Sequence, residues 1–236
     1  MIHFQSISKK FGRLPVLNEV SLTLEKGNCI ALIGPNGCGK TTLIKSLLGM
    51  VIPDKGDILF NGQNIKGQEK YRSQIGYMPQ IGRYPDNMRI GQVIDMIKQI
   101  RPSSDLDNDL YKQFDMATMT DKRMRTLSGG TIQKVSATLA FLFRPPVLIL
   151  DEPTAGLDPI AAEILKEKII AARNNGSLVL ITSHVLSELE GLVNRLVFMQ
   201  DGKVLLHEDI ETLKATTRQS TIAKSITALL KNQLNG

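Results

Sequence analysis

Apolar and polar positions along the chain fall into three regimes. Up to about residue 64 the apolar residues come in short runs and alternations bounded by glycine and charge: "IHFQSISKKF", "LNEVSLTLEKG", "CIALIG" and "GDILFNGQNI". A period of two is a strand signal, and Asn61-Gly62 within the last run marks a tight hairpin turn. From about Pro85 to Phe143 the spacing becomes helical. "IGQVIDMIKQI" has apolar residues three and four apart, and Ile132, Val135, Leu139 and Phe143 repeat that interval after "LSGG". Between these helices "RPSSDLDND" is a polar link ending in a cap before "LYKQFDM". Beyond "PPVLILDEP" the chain alternates helix ("AAEILKEKIIAARNNG"), strand ("SLVLITS"), helix ("VLSELEGLV") and strand ("RLVFMQ"), then turns at Asp201-Gly202. Strands alternating with helices predict a parallel sheet.

Several of these strands end in chemistry. "CIALIGPNGCGKTTLIKSLLG" is an apolar strand, a loop of the form G-x-x-x-x-G-K-[ST], and an apolar helix closed by Gly49. Such a loop wraps backbone N–H groups around phosphates, sends Lys40 to the β- and γ-phosphates and puts the Thr41 hydroxyl on Mg²⁺. Gly34, Gly37 and Gly39 keep side chains out of that approach, and Pro35, Asn36, Cys38 and Thr42 complete the cradle. The strand "VLIL" ends at Asp151 and Glu152. Adjacent carboxylates are too costly for a core, so they are expected in a cleft, Asp151 holding Mg²⁺ through water and Glu152 polarising an attacking water. "IGYMP" delivers Gln80 and "LVLITS" delivers His184. In a parallel sheet these strand ends share one edge. Lys40, Thr41, Gln80, Asp151, Glu152 and His184 are therefore expected to converge where a γ-phosphate, its Mg²⁺ and a water meet, with Gln80 counted among both the catalytic and the metal-binding groups.

"LSGGTIQK" poses a separate question. Ser128 caps a helix whose first turn, Gly129 and Gly130, carries no side chains, and bare N–H groups at a helix start receive anions. The chain thus holds a second phosphate-type site in addition to its P-loop.

Composition narrows the classes. With 236 residues, 42% hydrophobic and 22% charged, the chain is an ordinary globular one. Its longest apolar runs are strand-length, far from the roughly 20 residues of a membrane span, and its start has no signal-peptide h-region. The net charge of +6 is spread without a basic stripe or RNA-binding aromatics, so no nucleic-acid partner is expected. Cys29 and Cys38 suit neither a disulfide framework nor a metal spacing, which points to a reducing cytoplasm. From Lys214 to Gly236 the chain holds Lys214, Arg218, Lys224 and Lys231 and no acidic residue. Ile222, Ile226, Leu229 and Leu230 line one face there, and a short packed terminal helix is expected rather than a membrane-surface or partner-binding segment.

"GPNGCGKTT", Gln80, "LSGGT", "VLILDEP", "AGLD" and His184, standing in that order, resemble the ATP-binding cassette (ABC) family, specifically the nucleotide-binding subunit of an ABC transporter, over residues 1 to about 215. The resemblance implies an α/β fold: a P-loop NTPase core with a parallel sheet, an N-terminal antiparallel β subdomain and an inserted α-helical subdomain at about 85–143, followed by a helical tail over 216–236. It implies an ATPase using ATP and Mg²⁺. A second copy, or a homologous ATPase subunit, would close head to tail so that Ser128, Gly129 and Gly130 face the γ-phosphate held by the partner. Phe11 matches the aromatic that stacks on adenine, and Asp158 in "AGLD" the loop that crosses the dimer. Thr131 departs from the usual glutamine, which should tune function. Residues 81–91, with Tyr84, Pro85 and Met88, match the surface that receives an integral membrane permease, which would place the chain in the cytoplasm, peripheral on the inner face of the cell membrane. "YMPQIGRYPDNM" resembles cassettes that serve copper-enzyme maturation, notably of nitrous oxide reductase. The alternative is a soluble ABC-type remodelling factor not coupled to transport. Such factors usually carry two cassettes or a long coiled-coil insertion, and this sequence has neither.

Overall fold

A computed structural model describes residues 1–234, with side chains up to Leu229; Leu230 and Lys231, named above for the tail, lie outside the described side chains. The strands are β1 (Ile2–Phe11), β2 (Leu14–Leu24), β3 (Cys29–Ile33), β4 (Lys55–Phe60), β5 (Gln63–Asn64), β6 (Ile75–Met78), β7 (Val147–Asp151), β8 (Leu178–Thr182), β9 (Arg195–Gln200) and β10 (Lys203–Asp209). The helices are α1 (Lys40–Leu47), α2 (Ile90–Ile100), α3 (Asp109–Gln113), α4 (Gly129–Phe141), α5 (Pro159–Asn174), α6 (Ile210–Thr217) and α7 (Ile222–Leu234).

Two sheets form. The N-terminal one is antiparallel in the order β2-β1-β4-β5, with its last hairpin turning at Asn61 and Gly62, both at positive φ. The other runs β10-β9-β3-β8-β7-β6, parallel from β9 to β6, with β10 folded back antiparallel after the Asp201-Gly202 turn. Its apolar strands are covered on both faces, which is why they read as continuous hydrophobic runs. Alternate residues serve different cores. Ile30, Leu32, Val147, Ile149, Leu178 and Leu180 pack with α1 and the antiparallel sheet. Cys29, Ala31, Leu148, Leu150, Val179 and Ile181 pack with the helices that follow β6. Both cysteines are free and buried, and burial pushes the Cys29 thiol up to about 12.

Four sequence expectations need correction. "VLSELEGLV" is not an α-helix but a single 3₁₀ turn over Leu186–Leu189. Glu190 leaves it in an extended conformation and Gly191 follows at φ 72°. The Glu190 carboxylate instead receives Lys214 Nζ and the Ile222 N–H at the start of α7, contacts that helical spacing does not reveal. In the second correction α4 stops at Phe141, leaving Phe143 outside it under the Arg101 guanidinium, 4.3 Å from the ring centroid. That helix also buries Gln133, Ser136 and Thr138, so its covered surface is wider than the apolar stripe. Third, "LYKQFDM" holds only the short α3, ended by Asp115 at φ 49°, and Asn108 makes no side-chain cap; Asp107 Oδ1 takes the Asp109 N–H at 3.0 Å instead. Fourth, a tail boundary at residue 215 would cut α6. Within the tail, Ile222 and Ile226 are buried in the core and Leu229 packs against it.

Candidate active site

The site grows from the parallel sheet. Since β3, β8, β7 and β6 are parallel neighbours, the segments that leave them emerge at one edge. There Phe11, Leu14, Val16, Asn36 to Thr42, Gln80, Asp151, Glu152, Thr182 and His184 line a cavity of about 630 Å³. All six polar groups expected to converge do line it. Gly34 and Pro35 sit just before the lining stretch of the same loop, and Phe11 is about half exposed at the rim, with Lys9 Nζ 5.5 Å from its ring centroid. A second cavity of about 530 Å³, bordered by Tyr71, Arg72, Asp57 and Asn64, contains none of these groups.

The P-loop is anchored on both sides. Gly202 N–H donates to the Cys38 carbonyl at 3.2 Å, and Lys40 Nζ bonds the Gly34 and Pro35 carbonyls at 2.7 and 3.1 Å, so the ammonium arches over its own loop. Gly34 is required by more than phosphate approach. It has φ 150°, and a Cβ there would stand 2.1 Å from the Met199 carbonyl oxygen of β9. Gly34→Ala is expected to destabilise the fold by about 2–4 kcal/mol, because backbone must move to admit it. Thermal unfolding should show this as a drop of roughly 5–15 °C; an unshifted melting temperature would contradict it.

The carboxylates are held individually. Asp151 Oδ1 accepts a hydrogen bond from the Thr182 hydroxyl. Glu152 Oε1 lies 3.0 Å from His184 Nε2. Glu152 itself has φ 49°, a left-handed backbone unfavourable for a residue with a Cβ. Its N–H is received by the Thr182 carbonyl at 3.1 Å and the Thr182 hydroxyl at 3.2 Å. Thr182 was not anticipated. The available signal was a lone hydroxyl closing an otherwise apolar strand, two residues before His184.

Ser128, Gly129 and Gly130 do not line this cavity. Ser128 caps α4, its hydroxyl accepting the Thr131 N–H at 3.3 Å, and Thr131 Oγ1 lies 2.9 Å from the same hydroxyl. The two glycines differ. A Cβ on Gly129 would meet nothing within 4 Å, whereas one on Gly130 would stand 2.6 Å from the Gly156 carbonyl oxygen. Asp158 caps α5 through the Ala161 N–H and pairs with Lys134 at 2.8 Å. The lysine bond first, and then that N–H, hold its carboxyl below the usual range.

One P-loop cavity edged by four strand ends, with a bare serine-glycine helix start outside it, narrows the family to few choices. The family model described as ABC transporter matches residues 17–155. The chain belongs to the ABC transporter family, as an ATPase cassette. It is 34% identical over 217 residues to the ABC transporter ATP-binding protein YtrB of Bacillus subtilis, covering 91% of this chain and 74% of that protein. It is 33% identical to the lantibiotic transport ATP-binding protein SrtF of Streptococcus pyogenes, covering 89% and 92%. A solved structure of an ATP-binding subunit of an ABC transporter superposes with a TM-score of 0.90 at 26% identity, over 98% of this chain and 99% of that one. The cassette therefore has the P-loop NTPase fold with its antiparallel N-terminal sheet and the helices between β6 and β7.

Residues 81–91 depart from expectation within the cassette. Tyr84 turns inward, its hydroxyl 2.9 Å from Ser136 Oγ on α4 and its ionisation pushed up by burial. Met88 packs against the same core. Ile81, Arg83, Pro85, Asp86, Asn87 and Arg89 are what this stretch exposes. Among the described residues no helix is long and apolar enough to cross a membrane.

Proposed function

We propose that this ATPase cassette closes head to tail with a second copy, or with a homologous subunit, around two ATP molecules, and that the closure drives a separate membrane permease. The observation that carries the reading is the separation of two anion-type sites: the P-loop cavity at the strand ends, and the bare start of α4 outside it. A single nucleotide needs only the first. The second is explained when the anion it receives sits in another subunit's cavity.

Within the cavity Phe11 stacks on the base, for which a flat ring suffices. The loop from Gly34 to Thr42 wraps the phosphates, with Lys40 against the β- and γ-phosphates. Thr41, Gln80 and Asp151 offer oxygen donors only, a set that fits Mg²⁺. Bound there, Mg²⁺ would neutralise charge on the phosphate oxygens. Glu152 orients the attacking water and takes its proton, and His184 steadies the carboxylate through Oε1 so that the other oxygen meets the water. Ser128 and the N–H groups of Gly129 and Gly130 receive the partner's γ-phosphate, while Asp158 helps place the opposite site. Loss of phosphate removes the charge that holds the subunits together, and the dimer opens.

The permease docks on the exposed side of residues 81–91, through Ile81, Arg83 and Pro85 rather than Tyr84 and Met88. This puts the cassette at the inner face of the membrane. The helices over about 85–143 act as the inserted unit that carries α4, the signature helix that opens with "LSGG", and the tail packs back onto the core. Relatives named for transport favour this reading over a soluble remodelling factor. A copper-linked cargo rests on the resemblance of "YMPQIGRYPDNM" alone; its exposed residues carry no copper chemistry, so cargo choice lies with the permease.

The test is copurification from native membranes. A multi-span membrane protein that accompanies the chain and raises its ATPase rate on reconstitution supports the proposal. A chain that hydrolyses ATP yet associates with no membrane protein would favour the remodelling factor.

A further inference from the structure

α4 lays three residues along the loop that follows β7. Gly130 comes so close to Gly156 that no Cβ fits, and Lys134 pairs with Asp158 at 2.8 Å. Between them Gln133, only 5% exposed, donates from Nε2 to the Glu152 carbonyl oxygen at 3.4 Å. Positions 130, 133 and 134 share one helix face, so the grip is continuous. The same helix begins at Ser128.

Glu152 is a residue that needs holding. A left-handed backbone at a non-glycine position persists only where its surroundings fix it. Its N–H is fixed by Thr182 of β8. Its carbonyl accepts the Ala155 N–H at 3.1 Å, from within the same loop, and the Gln133 amide, from outside it. Gln133 is the link that joins this carbonyl to α4. It is also a poor choice for stability alone, because its Oε1 is buried without a hydrogen-bond partner. An apolar side chain of equal length would fill the space without that desolvation penalty.

We propose that Gln133 is a positioning residue, tying the start of the signature helix to the Glu152 backbone, so that engagement of a partner's nucleotide by Ser128 sets the catalytic carboxylate of the same chain. The inference rests on the head-to-tail reading above. Each chain's Glu152 then responds to ATP in the other chain's cavity, which makes the two sites interdependent. The two-state element is the Glu152 peptide, strained and held from both ends.

The test is Gln133→Met in the purified chain, with Gln133→Asn, whose amide falls one methylene short, as the second variant. The Met variant should melt at or above the wild-type temperature, keep its affinity for ATP and still dimerise with ATP. Its kcat should fall about tenfold, a loss of the size expected for a coupling residue, and the Hill coefficient for ATP should drop toward one. Asn should lose the same turnover. If either folded variant keeps wild-type kcat and Hill coefficient, or changes KM alone, the inference is overturned. Wild-type protein that hydrolyses ATP but never dimerises would overturn the head-to-tail reading, and this inference with it, before any variant is compared.

Discussion

Glu152→Gln is expected to abolish steady-state ATP hydrolysis, with a loss of about 10²–10⁴-fold, while leaving nucleotide affinity nearly unchanged and trapping an ATP-bound dimer. The carboxylate follows the end of β7 with Oε1 3.0 Å from His184 Nε2, and in the proposed mechanism it acts on the attacking water rather than on the nucleotide. Gln keeps the shape and can stay beside the imidazole, so the backbone contacts to Thr182 and Gln133 need not change. What is lost is a base that accepts the water's proton. What is relieved is a negative charge near the γ-phosphate, which favours the ground-state complex. Rate and binding should therefore separate, the signature of an interaction used in the transition state. ATPase assays at saturating ATP, with size-exclusion chromatography in the presence and absence of ATP, decide it. A variant that turns over at the wild-type rate would remove Glu152 from the mechanism.

The placement of this side chain is legible in the sequence because two independent constraints agree. An apolar run that ends in Asp151-Glu152 must leave the core there, and parallel pairing of β3, β8, β7 and β6 brings those exits to one edge. Sequence order alone then gathers Lys40, Gln80, Glu152 and His184. Where only one constraint exists, the reading fails. "IGRYPDNMRIG" has no period, so nothing in it says that Tyr84 turns toward Ser136 while Arg83 turns out. "VLSELEGLV" has a period, but Glu190 is drawn to Lys214 and the Ile222 N–H, over twenty residues away. Long-range contacts of that kind override local propensity. Gln133 and Thr182 were missed for a related reason: each acts on the Glu152 backbone, and a backbone partner leaves no mark in spacing.

A mixture of Ser128→Arg and Lys40→Ala chains should recover ATPase activity that neither variant has alone. Lys40→Ala removes the ammonium that now bridges the Gly34 and Pro35 carbonyls and is expected to lose both ATP affinity and turnover, since that charge pairs with the phosphates themselves. Ser128→Arg should spare the variant's own cavity, because Ser128 is exposed and does not line it. It should block closure by filling the open space beside Gly129, where the head-to-tail proposal places the partner's γ-phosphate. In a head-to-tail dimer each site takes its P-loop from one chain and its signature from the other. The mixed dimer then places both defects in one site and leaves the other intact. Random pairing makes half the dimers mixed, each with one working site, so recovery should approach roughly a quarter of the wild-type rate when the sites act independently. The coupling assigned to Gln133 lowers that figure, because the intact site is set by a signature that has lost its target. A signature acting within its own chain leaves no intact site in any pairing. Activity regained on mixing therefore requires action across the dimer, and a Ser128→Arg protein that still dimerises normally with ATP would show that the start of α4 receives nothing from a partner.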